Sequence, residues 1–219
     1  MPQFLFQTDP SQDAVSLAVH AALAARPGHY DELRAPADAP GATRLRDPWP
    51  RFFELLGTDG FADLDRRADG VARQIRENGI TYNIYADANG PTRPWSLDLL
   101  PFIIDDQDWA TIEQGLSQRA ALLNRVLADV YGTQELLREN LLPPALVQGH
   151  PGYLRPLRGY LPPGSTYLHI AAFDLARASD GGWRVVSQRT QAPSGLGYLL
   201  ENRLTVSGLF PEALSLIHI

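Results

Sequence analysis

Gln188-Arg-Thr-Gln-Ala-Pro-Ser-Gly-Leu-Gly-Tyr-Leu-Leu-Glu-Asn-Arg203 is the stretch on which the reading of this chain turns. Gly195 and Gly197 permit positive φ and close backbone approach, as a turn that cradles an anion needs. Arg189 and Arg203 can fork a phosphate or carboxylate. Glu201 and Asn202 offer the hard oxygen donors that Mg²⁺ prefers. Gln188, Thr190, Gln191 and Ser194 add amide and hydroxyl groups. A Gly/Pro surface turn leading into a helix fits the same spacing, so both readings stand at this point.

The residues just before this stretch read as a β-hairpin. Tyr167 to Ala178 and Trp183 to Thr190 are strand patterns, and Asp180-Gly181-Gly182 between them is a hairpin turn. Counting outward from that turn sets Asp174 close to opposite Gln188. Asp174 shares its face with Ala172 and Ala176, since alternate residues of a strand point the same way. A polar residue among small ones suits a ligand position and equally a solvent-facing carboxylate.

Further out, the chain is helical. Ile112, Leu116, Ala120, Leu123, Leu127 and Val130 recur at helical spacing and predict one long helix from about Asp106 to Tyr131, stopped by Gly132. Gln134 to Glu139 predicts a short helix. Phe61, Leu64, Ala68, Val71 and Ile75 predict another, ending at Asn78-Gly79. Residues 48–56 open a short helix that Gly57 closes, and residues 12–25 carry an amphipathic one. Residues 29–50 read as an extended loop, 81–85 as a β-rich run and 87–91 as a turn. Residues 149–164 are loop, with prolines at 151, 156, 162 and 163.

Composition narrows the function classes. The 219 residues, 44% hydrophobic, can bury a core of one large or two small domains. A net charge of −6 lacks the basic footprint of a nucleic-acid binder. No apolar run reaches membrane-spanning length and no basic n-region opens the chain, so a cytoplasmic location is expected and no membrane partner. With no cysteine, thiolate metal sites are excluded. His29 and His150 lack the spacing of a zinc site, and His169 reads as a core or surface histidine in a strand rather than a ligand. Ser194 lacks a G-x-S-x-G frame, and Gly195 with Gly197 does not complete G-x-G-x-x-G. All nineteen basic residues are arginine, so no lysine among them can neutralise nucleotide phosphates.

Several ordered motifs together resemble a known family. They are His-Tyr-Asp-Glu-Leu33, Arg-Glu-Asn-Gly-Ile-Thr-Tyr-Asn-Ile-Tyr85, Arg-Pro-Trp-Ser-Leu-Asp-Leu-Leu-Pro101, Gln-Arg-Ala-Ala-Leu-Leu-Asn124, Leu-Leu-Pro-Pro-Ala-Leu146, Pro-Gly-Tyr-Leu-Arg-Pro156 and the Gln188–Arg203 stretch. Over about residues 29–213 the chain resembles the N-terminal part of the circularly permuted ATP-grasp proteins of type 2, distant kin of glutathionylspermidine synthase. The resemblance implies an α+β (α/β) fold, with a helix-rich N-terminal half feeding a mixed or antiparallel sheet. It implies ATP and Mg²⁺ as cofactors, and a small-molecule or peptide carboxylate and an amine as substrates, joined through an acylphosphate. Asp174 falls where a first metal-binding Asp is expected. Gln188 and Thr190 fall near a Glu-x-Asn pair that they do not reproduce, and Glu201 and Asn202 are candidate replacements.

The expected organisation is an N-terminal helix and extension (1–28), the helix-rich part of the permuted domain (29–148), its hairpin and Gly-rich segment (149–213) and a foreign-looking tail (214–219). Leu-Ser-Leu-Ile-His-Ile at the end back-translates to a transposon-like adapter, so His218 is not counted as a ligand. The resemblance implies an N-terminal fragment, inactive alone, whose partner is the C-terminal half carrying the ATP-holding lysines. A non-catalytic ATP-grasp-like scaffold that binds a peptide or protein is the alternative. Either way, the hairpin and its glycine turn are expected to bring Asp174, Arg189 and Arg203 to one anion- and Mg²⁺-receptive edge.

Overall fold

A computed structural model of the chain describes residues 13–21, 25–35, 44–79 and 95–212. It divides into two compact units, one built from residues 1–105 with 195–219 and the other from residues 106–194. The expected strand at 81–85 and turn at 87–91 lie outside the described residues, as does the tail.

The first unit is held by aromatic packing. Helix α1 (Ala14–Ala21) buries Ala14 and Ala18 against α2 (Trp49–Ala62). Trp49, Phe52, Phe53, Leu56 and Phe61 line the buried face of α2, and Phe52 is fully enclosed. Trp49 stacks on Phe53 with centroids 5.7 Å apart, and Phe52 meets Phe210 at 5.4 Å. Gly57 interrupts α2 with φ 67° and ψ 174°, values that exclude a helical hydrogen bond there and that only glycine adopts without strain. The expected stop at Gly57 is thus a kink, after which the helix resumes to Ala62.

Helix α3 (Leu64–Glu77) buries Val71 and Ile75, two turns of the predicted stripe. It packs against α7 (Leu196–Leu209), which buries Thr205 and Val206. Arg67 pins the pair together: it donates to the Leu209 carbonyl, lies 2.7 Å from a Glu212 carboxylate oxygen and sits over the Phe210 ring. Residues 29–50 are not wholly loop. Strand β1 (Arg34–Ala35) pairs antiparallel with β2 (Arg44–Leu45). The Asp31 carboxylate accepts from the Leu33 and Arg34 amides, and the Asp31 carbonyl accepts from Arg46 Nε at 2.7 Å.

In the second unit the longest helix, α4 (Asp106–Tyr131), has the bounds that its apolar spacing predicts. Ile112 and Val130 are buried, and Leu116, Ala120, Leu123 and Leu127 are half-buried along the same stripe. The Asp129 carboxylate caps α5 (Glu135–Arg138) by accepting from the amides of Glu135 and Leu136 and from Thr133 Oγ1. Burial works against the charged form of Asp129, yet those donors hold its carboxyl below the ordinary range. A short helix α6 (Pro144–Gln148) and two 3₁₀ turns follow.

Strands β3 (Ala172–Arg177) and β4 (Trp183–Arg189) then form the antiparallel hairpin, shorter on the β3 side than expected. Asn124 of α4 fixes the approach to β3: its side-chain oxygen accepts from the amides of Tyr167 and Leu168 at 2.8 and 3.0 Å. Among the described residues no helix is long and apolar enough to cross a membrane.

Candidate functional site

The hairpin is built from an anchored end and an open end. At the turn, Gly181 takes φ 85°, and the Gly182 amide donates to Asp180 Oδ1 at 2.8 Å. Arg177, beside the turn, donates to the Gly181 carbonyl and to Asp108 of α4, and lies 4.3 Å over the Trp183 ring. Its side chain is 11% exposed, so this ion pair is largely shielded from solvent and fixes the hairpin on α4.

At the other end the register departs from the expected one. Asp174 pairs with Ser187 rather than Gln188, because a bulge between Asp174 and Leu175 leaves Val186 as the extra residue of β4. The residues whose side chains meet Asp174 are therefore Ser187 and Arg189. Arg189 forks the carboxylate, Nη2 to Oδ1 at 2.7 Å and Nη1 to Oδ2 at 2.8 Å. Ser187 Oγ donates to Oδ2 at 2.5 Å. The Arg189 and then the Ser187 hydrogen bonds hold the Asp174 carboxyl below its usual range, outweighing the desolvation that works the other way. Arg189 and Asp174 remain 55% and 45% exposed, so the group faces solvent.

Gln188, Thr190, Gln191 and Ser194 are exposed around this open end. Gln191 lies beside a loop that sequence reasoning did not connect to it: a Cβ built on Gly152 would sit 3.8 Å from Gln191 Nε2 and 3.1 Å from the His150 ring. The Gly152 amide donates to His150 Nδ1 at 3.0 Å.

The Gly-rich segment is a turn that runs into a helix. Gly195 has φ 118° and stands at the N-cap of α7, as a positive-φ turn requires. Gly197, expected in the same turn, is instead in the first turn of that helix. Glu201 and Asn202 are also helical. Glu201 Oε1 accepts from Asn78 Nδ2 at 2.5 Å, and Asn202 Oδ1 accepts from Trp95 Nε1 at 3.0 Å. Both carry α7 against its neighbours in the first unit. Arg203 belongs to that unit too, whereas Asp174 and Arg189 belong to the second.

A Mg²⁺ ion needs about six oxygen ligands near 2.0–2.1 Å. The side chains that meet there are one carboxylate, with both oxygens already hydrogen-bonded, one hydroxyl and a guanidinium cation. These residues do not fit the metal. Among the described residues, no group of three or more His, Asp or Glu is placed to hold one. What the arrangement does supply is an exposed ion pair, neutral as a pair, in which the two-point contact orients the Arg189 guanidinium.

Comparison with known proteins adds the family. Residues 101–219 match the model of the circularly permuted ATP-grasp type 2 family. An uncharacterized protein of Mycobacterium tuberculosis is 38% identical over 191 residues, which is 84% of this chain and 21% of that protein. One of Mycobacterium leprae is 34% identical over 168 residues, 77% of this chain and 29% of its own length. One of Synechocystis is 36% identical over 197 residues, 88% and 39% respectively. The chain thus spans between a fifth and two fifths of these relatives. The match covers α4, both strands of the hairpin and the Gly-rich segment, and on that evidence the chain belongs to the circularly permuted ATP-grasp type 2 family.

Proposed function

We propose that the complete protein is an ATP-dependent carboxylate–amine ligase, to which these residues contribute an oriented guanidinium. The γ-phosphoryl group of ATP passes to a carboxylate oxygen, giving an acylphosphate and ADP. An amine then attacks the acyl carbon, the C–O bond to phosphate breaks, and inorganic phosphate leaves as the amide forms. Most of the catalytic task in such a transfer is offsetting negative charge at fixed positions. The observation that carries the reading is the Arg189 guanidinium, oriented by the two-point Asp174 fork on an exposed hairpin edge in a member of this family. No step is assigned to Mg²⁺ at this hairpin.

The test is hydroxylamine trapping in the complete protein with ATP and a panel of carboxylates, peptides included. Hydroxamate formation coupled to ADP release is the expected result, and Arg189→Ala is expected to lower it by about a hundredfold, the usual cost of one fixed electrostatic donor. ATP consumption without hydroxamate, or a rate indifferent to Arg189, contradicts the proposal. Lacking any lysine, the 219-residue chain alone is expected to bind ATP too weakly for a micromolar transition in a calorimetric titration. A micromolar dissociation constant would place the nucleotide clamp within these residues after all.

A second reading has its own observation. Ser187 and Arg189, not an acid and an amide, face Asp174, and that favours a non-catalytic scaffold for a peptide or protein. Peptide binding by the complete protein that is unchanged by nucleotide, with no hydroxamate, would select it.

A further inference from the structure

We infer that Arg189 is a built-in cation standing where the family fold implies a bound metal, and that Asp174 is its positioning residue rather than a metal ligand. Three observations carry this. Both Asp174 oxygens already accept hydrogen bonds, Oδ1 from Arg189 Nη2 and Oδ2 from Arg189 Nη1 and Ser187 Oγ. The bulge at Val186 turns Ser187 and Arg189, alternate residues of β4, toward Asp174, and these are the two places from which β4 could have offered further ligands. One of them carries a hydroxyl and the other a positive charge, so the donor set reaches neither the number nor the sign that a divalent ion needs.

Exclusion does not depend on the strength of the ion pair, which is exposed and for that reason weak. It depends on donor count and on a like charge held within a few ångströms of where the ion would sit. A guanidinium also keeps its charge at every physiological pH, so the partner of the Asp174 carboxylate is in place whether or not magnesium is present. The hairpin is then preformed: β4 brings Arg189 into place, the two-point fork sets the guanidinium plane, and the Arg177–Asp108 pair at the far end anchors the strand that carries Asp174.

The use made of this charge rests on the ligase reading; the exclusion of metal does not, and the experiment separates them. Mn²⁺ is titrated into the 219-residue chain while amide resonances of β3 and β4 are followed by NMR, in the wild type, in Arg189→Asn and in Arg189→Asn with Asp174→Asn. The wild-type hairpin amides are expected to stay sharp. Arg189→Asn is expected to broaden them, with at least about tenfold tighter Mn²⁺ binding once the opposing charge is gone, and the added Asp174→Asn to abolish it. Unchanged amide shifts of α4 and retained strand-like dispersion of β3 and β4 before Mn²⁺ is added show that the variants are folded.

Broadening of the wild-type hairpin that Asp174→Asn removes would overturn the inference. So would an Arg189→Asn hairpin that stays as sharp as the wild type, since Arg189 would then not be what keeps the ion out. Metal gained by Arg189→Asn in a protein that never forms hydroxamate would leave this inference standing and sink the ligase reading instead.

Discussion

The cluster around Phe52 and the hairpin around Asp174 place side chains by different means. In the first, Trp49, Phe52, Phe53, Phe61 and Phe210 fix one another by filling a dry interior. In the second, a carboxylate, a hydroxyl and a guanidinium are fixed in solvent by hydrogen bonds, with a strand ladder underneath. Packing of the first kind stabilises strongly and tolerates no polar vacancy. Pairing of the second kind adds little stability, and its worth lies in where it holds a charge. The difference separates residues held by packing from residues held by charge.

Four substitutions sharpen or break that contrast. Phe52→Ala removes a fully buried ring and is expected to cost about 3–5 kcal/mol, read by urea unfolding with Trp49 fluorescence as the signal. Arg177→Ala opens the shielded end of the hairpin and is expected to cost about 1.5–3 kcal/mol, seen as lost hydrogen-exchange protection confined to β3 and β4. Asp129→Ala removes the cap of α5 and is expected to cost about 1 kcal/mol, seen as faster exchange at the Glu135 and Leu136 amides. Arg189→Ala, at the exposed end, is expected to lower the denaturation midpoint least of the four. If Arg189→Ala destabilised as much as Arg177→Ala, the two ends of the hairpin would not differ in kind.

Much of the local structure is legible from residues a few positions apart. The period of Ile112, Leu116, Ala120, Leu123 and Leu127 with Gly132 beyond gives α4 its bounds, and Asp180-Gly181-Gly182 gives the hairpin its turn. The register at Asp174 needed a subtler signal. Trp183-Arg184-Val185 alternates, and the doubled valine at 186 breaks the alternation, as one extra residue in a strand does. Read that way, Ser187 rather than Gln188 faces Asp174.

The Gly-rich stretch was legible only by half. Gly195 makes the positive-φ turn alone, and everything after it is drawn into α7 by partners far away in the chain. Asn78 meets Glu201, Trp95 meets Asn202 and Arg67 meets the Leu209 carbonyl, across 123, 107 and 142 residues. No periodicity within the stretch reports such pairings, so Glu201 and Asn202 looked like free oxygen donors. The two-residue ladder of β1 and β2 escaped for a related reason, since it is held by Asp31 and Arg46 rather than by a strand pattern.

The Asp174–Arg189 pair also sets a pH window. A carboxyl whose folded value lies below its unfolded one contributes stability above the unfolded value and loses it as pH falls through the folded value. Asp174 is such a group, so its contribution is complete above the ordinary carboxylate value of 3.8 and disappears below it. The most direct measurement is the titration of the Asp174 side-chain carboxyl carbon by NMR, in the wild type and in Arg189→Ala. The account predicts a wild-type midpoint below 3.8 that moves up toward it when the guanidinium is removed. Superimposable curves in the two proteins would mean that Arg189 does not hold Asp174 in solution, and the built-in cation would have no basis.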